Sequence, residues 1–319
     1  MILITGSAGY IGSHLSLYFE KRNISYIGID NLSYSYKANL SNNKKHYILD
    51  ISNKKKIIQL IKKYNIKTVI HTAACSYVLE GEKNKKKYNL NNVKKTKQFI
   101  NVCLREKINN FIFLSSSNVY KEKKKNIPVK EIDPKVPKNI YGKNKLNIEN
   151  YLRKKNFDNI IILRLFNIIG IFNKNFKIYN FKKNNFQRLV FKLIKNTKKN
   201  KVTKIHYTRS KNKRIFPSRD FLDINDLSKI IERILFKIKN KKKIMKILNI
   251  SSNRSIQINK IINSLKKKIK KNLNVKYIEI SNKEYLHTRG SNKKLFEFVN
   301  YSPKINLDKI LKSHLSNLN

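Results

Sequence analysis

Gly6, Gly9 and Gly12 form a G-x-x-G-x-x-G directly after the apolar run Ile2–Ile4 and before the amphipathic segment Ile11–Tyr18. Glycines at that spacing permit a tight strand-to-helix turn and let the backbone approach a pyrophosphate lying on the helix N-terminus. With 8 Gly in 319 residues, chance supplies this spacing about 0.005 times per chain, so the motif is informative. Asp30 lies 18 residues beyond Gly12, at the end of the apolar run Tyr26–Ile29. A carboxylate there can bind a ribose 2′-hydroxyl and would repel a 2′-phosphate, which favours NAD over NADP. Taken alone, Asp30 is a strand-end residue turning with Asn31; the glycine turn upstream decides for the ribose. Asp50, beside Ile51 after the next run, can meet the adenine edge. Thr72-Ala73-Ala74 follows the run Thr68–Ile70, and with Ala8 these positions hold three of the four alanines in the chain. Small residues let a dinucleotide lie close to the backbone, while His71 reads as a buried structural histidine.

Tyr141 and Lys145 form a Y-x-x-x-K whose side chains share a face on a helix. A neighbouring ammonium favours the phenolate and so prepares a tyrosine for proton transfer. The pattern is cheap in so Tyr- and Lys-rich a chain, where it begins five times, at Tyr120, Tyr141, Tyr151, Tyr179 and Tyr207. Context selects Tyr141. It opens a helical pattern (Leu146, Ile148, Tyr151) after a loop with Pro134 and Pro137, and it follows Ser116 by 25 residues. Ser116 closes the apolar run Phe111–Leu114, and in a parallel sheet both sites fall at the carboxyl edge, where ligands bind.

Lys plus Arg number 72 against 19 Asp plus Glu, a net charge of +53. Only 11 of the basic residues are Arg, leaving 72 − 11 = 61 Lys, beside 45 Asn and 4 Ala. Lys, Asn and Ile have AT-rich codons, so this is the signature of base composition on a protein surface. The lysines are spread (Lys54–Lys56, Lys123–Lys125, Lys241–Lys243, Lys266–Lys268), and Arg, the better bidentate reader of phosphate and guanine, is scarce. A specific nucleic-acid reader is therefore not expected, although nonspecific polyanion binding is. Cys75 and Cys103 make neither a disulfide framework nor a metal spacing, so no metal is expected. No run approaches the roughly 18 apolar residues of a membrane span, and Met1–Gly6 lacks a basic leader. The expectation is a soluble cytoplasmic protein.

These sites need elements to carry them. Ile2–Ile4 reads as a buried strand and Tyr26–Ile29, Tyr47–Leu49, Thr68–Ile70, Phe111–Leu114 and Ile160–Leu165 as further strands, alternating with helical stripes such as Ile57–Ile61 and Val93–Leu104. The stripe Leu189–Leu193 is helical, Thr197–Pro217 reads as loop, Leu222–Leu235 as helix and Ile247–Ile250 as strand. The fold class is α/β, a Rossmann-like doubly wound parallel sheet with a smaller interleaved α/β C-terminal substrate domain. Residues 1–167 form the dinucleotide-binding unit, to which about 220–250 return; about 168–219 and 251–319 form the second domain.

The ordered set TGSAGYIGSHL, GIDNLS, Asp50-Ile51, VIHTAA, NLNNV, NFIFLSSSNVY, YGKNK, LRLFN, NNFQ and SRDFLDINDL resembles the extended short-chain dehydrogenases/reductases, the NAD-dependent epimerase/dehydratase family, and most closely its UDP-glucose 4-epimerases. The resemblance implies tightly bound NAD and epimerisation at C4 of a UDP-hexose through a 4-keto sugar. It makes Tyr141 the acid/base at the 4-hydroxyl, Lys145 its partner on the nicotinamide ribose, and Ser116 the donor to the reacting oxygen. It sets Tyr10, Ile11, Asn31, Ile51, Asn91 and Phe166 against the cofactor, and Asn167, Asn185 and Arg219 on the nucleotide-sugar. Arg289 is the candidate for a second phosphate ligand. Dehydratases of the family carry Asp-Glu after the serine and decarboxylases a Glu; Ser117 and Asn118 stand there, which implies epimerisation. Lys121 replaces the usual Gly after Val-Tyr, and Ser76 a common Lys. The resemblance also implies a homodimer through the helix that carries Tyr141 and its neighbour. The other readings are epimerisation of UDP-N-acetylglucosamine or UDP-glucuronate, decarboxylation, and a non-catalytic polyanion binder on a Rossmann scaffold.

Overall fold

Strands whose residues are apolar on both faces must be covered on both, which forces helices onto each side of a parallel sheet. The computed structural model describes residues 1–40, 46–123, 126–171, 189–210, 213–239, 241–269 and 273–316. Its strands are Ile2–Thr5 (β1), Tyr26–Asp30 (β2), His46–Ile48 (β3), Thr68–His71 (β4), Asn110–Ser116 (β5), Asn159–Leu165 (β6), Asn167–Ile169 (β7), Thr203–Ser210 (β8), Lys213–Ile215 (β9), Ser218–Asp223 (β10), Ile244–Ile250 (β11), Ser255–Gln257 (β12) and Val275–Glu279 (β13). Its α-helices are Tyr10–Lys21 (α1), Lys54–Lys63 (α2), Val78–Lys83 (α3), Lys85–Asn89 (α4), Thr96–Arg105 (α5), Ile140–Leu152 (α6), Leu189–Lys198 (α7), Ile224–Ile238 (α8), Ile258–Lys268 (α9), Lys293–Val299 (α10) and Leu307–Ser316 (α11).

The main sheet has seven parallel strands in the order β11-β6-β5-β4-β1-β2-β3. Strand order reverses beside β1, so the crevice between the ends of β1 and β4 is the topological switch point at which such sheets bind ligands. Every residue of β4 and β6 is buried. One face packs Ile4, Ile70, Ile112 and Ile161 against Leu15 and Phe19 of α1 and Leu227 and Ile231 of α8. The other packs Leu3, Val69, Phe111 and Ile160 against α2, α5 and α6. Cys103 lies in this second layer, fully buried, where desolvation raises its thiol pKa and leaves it unreactive.

Two three-stranded sheets, β12-β10-β7 and β13-β8-β9, cover the carboxyl edge. They share a separate apolar core built from Val190 and Leu193 of α7, Ile205, Phe221, Ile261 and Leu265 of α9, and Leu311 of α11.

The six early strands and the late one sit where the apolar runs place them. The polar segment Thr197–Pro217 differs: it holds β8 and β9 rather than loop alone. In β8, Thr203, Ile205 and Tyr207 point inward between Lys204, His206 and Thr208, a period of two that the basic composition conceals. Leu222 and Asp223 also belong to a strand, and α8 starts at Ile224 because the Asp223 carboxylate accepts from the Asn225 N–H at 2.8 Å and caps it.

Candidate active site

Gly6 has φ +69°, and a Cβ there would sit 2.8 Å from Ala73 Cα. The turns after β1 and β4 therefore touch, and only small residues allow it. At Gly12 a Cβ would lie 2.1 Å from the Gly6 carbonyl oxygen, so α1 packs directly on its own turn. Gly9 caps α1 without a side-chain hydrogen bond, so the first-turn N–H groups form a ready anion cradle. The cradle opens into a cleft of about 1050 Å³ that runs from Asp50 past Tyr141 to His206.

At one end Asp30 accepts from Ala8 N (3.0 Å) and Leu32 N (2.7 Å); burial pushes its carboxyl pKa upward while these donors oppose it. Burial would raise Asp50 too, but Lys95, the Ser52 N–H and hydroxyl, and Asn31 all donate to it and hold it well below the usual carboxylate range. Lys95 ends a π-helical turn, Leu90–Lys95, that carries Asn91 on the cleft. Asn92, in the same turn, accepts from Cys75 N (2.8 Å) and donates to Cys75 O (2.9 Å), pinning the loop after β4.

In the middle, Tyr141, half-buried, is the second residue of α6, and Lys145, buried, follows one turn later on the same face. Lys145 Nζ donates to Leu114 O (2.7 Å), stands 4.7 Å from the Phe113 ring centre and 5.8 Å from that of Tyr141. Burial lowers its ammonium pKa to about 7. Gly142 lets α6 press on the turn that carries Ser117 and Asn118, since a Cβ there would sit 2.1 Å from Asn118 O. Ser116 ends β5 opposite Leu165 of β6, which leads directly into Phe166 and Asn167. His71 is buried, bonded to Thr5 Oγ1 at 2.9 Å and stacked on Phe99 and Phe113. Burial, then Lys145, depress its pKa to about 3, so it is a neutral core group.

At the far end Asn167 donates to Thr288 Oγ1 (3.2 Å), and Arg219 donates to Ser218 O (3.0 Å) and Leu286 O (3.1 Å). Burial lowers the Arg219 pKa, with Glu284 and Glu122 opposing; a guanidinium stays charged through such a shift, so this is a desolvated cation on the cleft wall.

The cleft thus joins Gly6, Gly9, Tyr10, Ile11, Gly12, Asp30, Asn31, Asp50, Ile51 and Thr72–Ala74 with Asn91, Ser116, Tyr141, Lys145, Phe166, Asn167 and Arg219. Arg289 is not among its lining residues. It lines a small separate hollow and donates from Nε to Asn253 O at 3.0 Å. Asn185 lies outside the described residues. The sequence reading also missed Lys204, Lys283, His206 and Glu284 on the cleft wall, the last two with His206 Nδ1 2.8 Å from the Glu284 carboxyl. For Lys204 and His206 the signal was the strand period of β8, masked by lysine; Lys283 and Glu284 lie in the turn after β13 and carry no such period. Among the described residues, no group of three or more His, Cys, Asp or Glu could hold a metal, and no helix is long and apolar enough to cross a membrane.

A family profile described as the NAD dependent epimerase/dehydratase family matches residues 2–251. The UDP-glucose 4-epimerase of Halalkalibacterium halodurans is 35% identical over 172 residues, 53% of this chain and 51% of that protein. A probable UDP-arabinose 4-epimerase of Arabidopsis thaliana is 33% identical over 184 residues, 53% of this chain and 44% of that one. The chain spans about half the length of the curated relatives it matches. The crystal structure of the UDP-glucose 4-epimerase of Bifidobacterium longum, in complex with NAD+ and UDP, superposes with a TM-score of 0.89 at 21% identity, over 99% of this chain and 97% of that chain.

Proposed function

The chain belongs to the NAD dependent epimerase/dehydratase family, and from that premise we propose that it epimerises C4 of a UDP-hexose, of the UDP-glucose/UDP-galactose type, with NAD as a resident cofactor. The observation that carries the reading is Tyr141 and Lys145, on one helix face, meeting Ser116 in the same cleft as the glycine turn.

The residues fit the cofactor. The positive φ of Gly6, the closeness of Gly12 to Gly6 and the uncapped start of α1 leave a cradle for a diphosphate, with Asp30 and Asp50 beyond it for the adenosine. When bound, NAD supplies a reversible hydride acceptor for C4. Tyr141 removes the 4-hydroxyl proton and returns it, Lys145 favours its phenolate, and Ser116 hydrogen-bonds the reacting oxygen. Arg219 holds the diphosphate, where a planar guanidinium suits phosphate, and Asn167 orients the nucleotide-sugar. The acidic residues lining the cleft, among those described, are Asp30 and Asp50 at the adenosine end and Glu284, paired with His206. With Ser117 and Asn118 after the serine, no carboxyl group attends the reacting centre to eliminate water, which supports epimerisation over dehydration.

In this reading residues 1–167 with about 220–250 hold the cofactor. About 168–219 and 251–319, with their own apolar core, form the substrate domain. A reducing, cytoplasmic setting suits two free, buried cysteines.

The test incubates the purified protein and NAD+ with a panel of UDP-hexoses, read by mass spectrometry and proton NMR. Unchanged mass with a new C4 epimer supports the reading and names the sugar. Loss of water or carbon dioxide overturns the use of Asn118, and failure to bind NAD overturns the whole.

Gly12→Ala is expected to cost NAD retention at least tenfold, because its methyl group would sit inside the Gly6 carbonyl. Cofactor carried through gel filtration, quantified by mass spectrometry, checks it; full retention would refute the cradle.

We also propose a homodimer through the outward faces of α5 and α6. Those faces carry Asn101, Arg105, Lys143 and Asn147, with Lys94 in the turn before α5 and Arg153 just past α6. Like charges so placed repel across a twofold axis, and salt screens them. Sedimentation is expected to show monomer at 20 mM salt and dimer near 500 mM, values set by a Debye length of roughly 20 Å against about 4 Å. A monomer at both concentrations would exclude this interface.

A further inference from the structure

We propose that Glu149 is a positioning residue for the Tyr141–Lys145 pair, one buried carboxylate that both fixes the strand end carrying Ser116 and balances the charge of Lys145. Glu149 lies one turn beyond Lys145 on α6 and is fully buried. Its Oε1 accepts from Ser115 Oγ (2.5 Å) and Arg164 Nε (3.0 Å), and its Oε2 from Arg164 Nη2 (2.7 Å). Ser115 immediately precedes Ser116, so the carboxylate that rides on the tyrosine helix also holds the tip of β5.

The bonds continue inward. Arg164 Nη1 donates to Tyr120 Oη (2.9 Å) and Glu131 O (2.9 Å), and Tyr120 donates to Asn249 Oδ1 (2.5 Å). Asn249 donates from its backbone to Glu131 Oε1 (2.9 Å) and from Nδ2 to Val129 O (2.9 Å). These bonds link α6, β5, β6 and β11 with Tyr120, Val129 and Glu131.

A buried ion pair is a weak device for stability, because apolar groups of equal volume do as well or better. Geometry is what it supplies here: a bidentate arginine fixes the carboxylate plane, and through it the spacing of helix and strand. Charge is the second contribution. The titratable and charged groups around Lys145 are Tyr141 and Glu149 on its own helix, His71 on β4, Cys75 in the loop after β4, and Arg164 of β6, which is bonded to Glu149. His71 is held neutral, and burial raises the Cys75 thiol above its ordinary value. Glu149 is thus the anion that opposes the desolvation of Lys145.

The proposal rests on the reading of Tyr141 and Lys145 as the acid/base pair, but its test is read on protein without added cofactor or sugar. Protein labelled with [ε-13C]lysine is titrated by NMR, with the Lys145 signal assigned by its loss in K145M. Two variants are compared with the parent, E149Q and the charge-neutral E149Q/R164M, the second guarding against misfolding around an unpaired arginine. The expected result is a Lys145 midpoint lowered by at least one pH unit in E149Q, equivalent to about tenfold less ammonium at pH 8, and lowered by a smaller amount, still above 0.3 units, in E149Q/R164M, where loss of the arginine's charge offsets part of the effect. Where the parent turns over a UDP-hexose, the alkaline limb of kcat should move down by the same amount while KM changes less than twofold. A midpoint unchanged within 0.3 units, a pH-independent loss of kcat, or failure of both variants to fold would overturn the proposal in favour of a purely structural pair.

Discussion

Tyr141→Phe is expected to lower kcat for the UDP-hexose about a thousandfold, within the range that a positioned acid/base contributes. The ring remains, so the packing of α6 on the turn beyond Ser116 is kept; only the hydroxyl that carries the proton is lost. NAD retention and KM should change less than threefold, because neither depends on that proton. The other described tyrosines that begin a Y-x-x-x-K are the controls. Tyr120 is buried and bonded to Arg164 and Asn249, Tyr151 donates to Asn101 at 2.6 Å away from the cleft, and Tyr207 points inward from β8. Steady-state kinetics of Y141F and Y151F decide the matter. A Y141F enzyme within tenfold of the parent would remove Tyr141 from the mechanism.

Lys145→Met is expected to do two things that ordinarily oppose each other: abolish turnover and raise stability. Turnover should fall at least a hundredfold, since no ammonium is left beside the phenol. The stability argument follows from the Lys145 pKa, about 7 in the folded chain against roughly 10.4 in an unfolded one. Between those values the unfolded state binds a proton that the folded state lacks, so parent stability rises with pH across the window. The penalty is fully present below pH 7 and absent above 10.4. Methionine fills the same space without it, but leaves Leu114 O without its donor and forfeits the contact with Phe113. The net gain is expected to be about 3 kcal/mol near pH 6 and to vanish by pH 10. Urea unfolding of K145M and parent at both pH values checks the sign; a variant less stable at pH 6 would mean that Lys145 is not held against its solvation.

The basic charge, by contrast, explains little of the site. Most of the 61 lysines are surface, and the one that matters most is the one that surface chemistry excludes, buried beneath β5. Lys95 is a second case, since its partner Asp50 gives it a place at one end of the cleft. Neither could be told from its neighbours by composition.

The sequence by itself determined the seven-stranded frame, because apolar runs of three to six residues separated by helical stripes have few packings other than a doubly wound sheet. It also marked the glycine turn, Asp30 and Ser116, because each sits at the end of a strand, and strand ends in a parallel sheet share one edge. Backbone constraints are local, and Gly6 and Gly12 announce them by residue type alone. Tertiary structure placed Tyr141 on the cleft and left the other described Y-x-x-x-K tyrosines, Tyr120, Tyr151 and Tyr207, off it, since that depends on which face of each element is buried. It decided that Arg219 borders the cleft while Arg289 turns away to Asn253. It made β8 a strand, its inward Thr203, Ile205 and Tyr207 becoming visible only once a neighbouring strand and helix covered them. It also joined Ser115, Glu149 and Arg164, residues 34 and 15 positions apart, into one buried cluster. Such contacts arise from the crossing of helix and sheet at fixed distance, and no spacing along the chain encodes that distance.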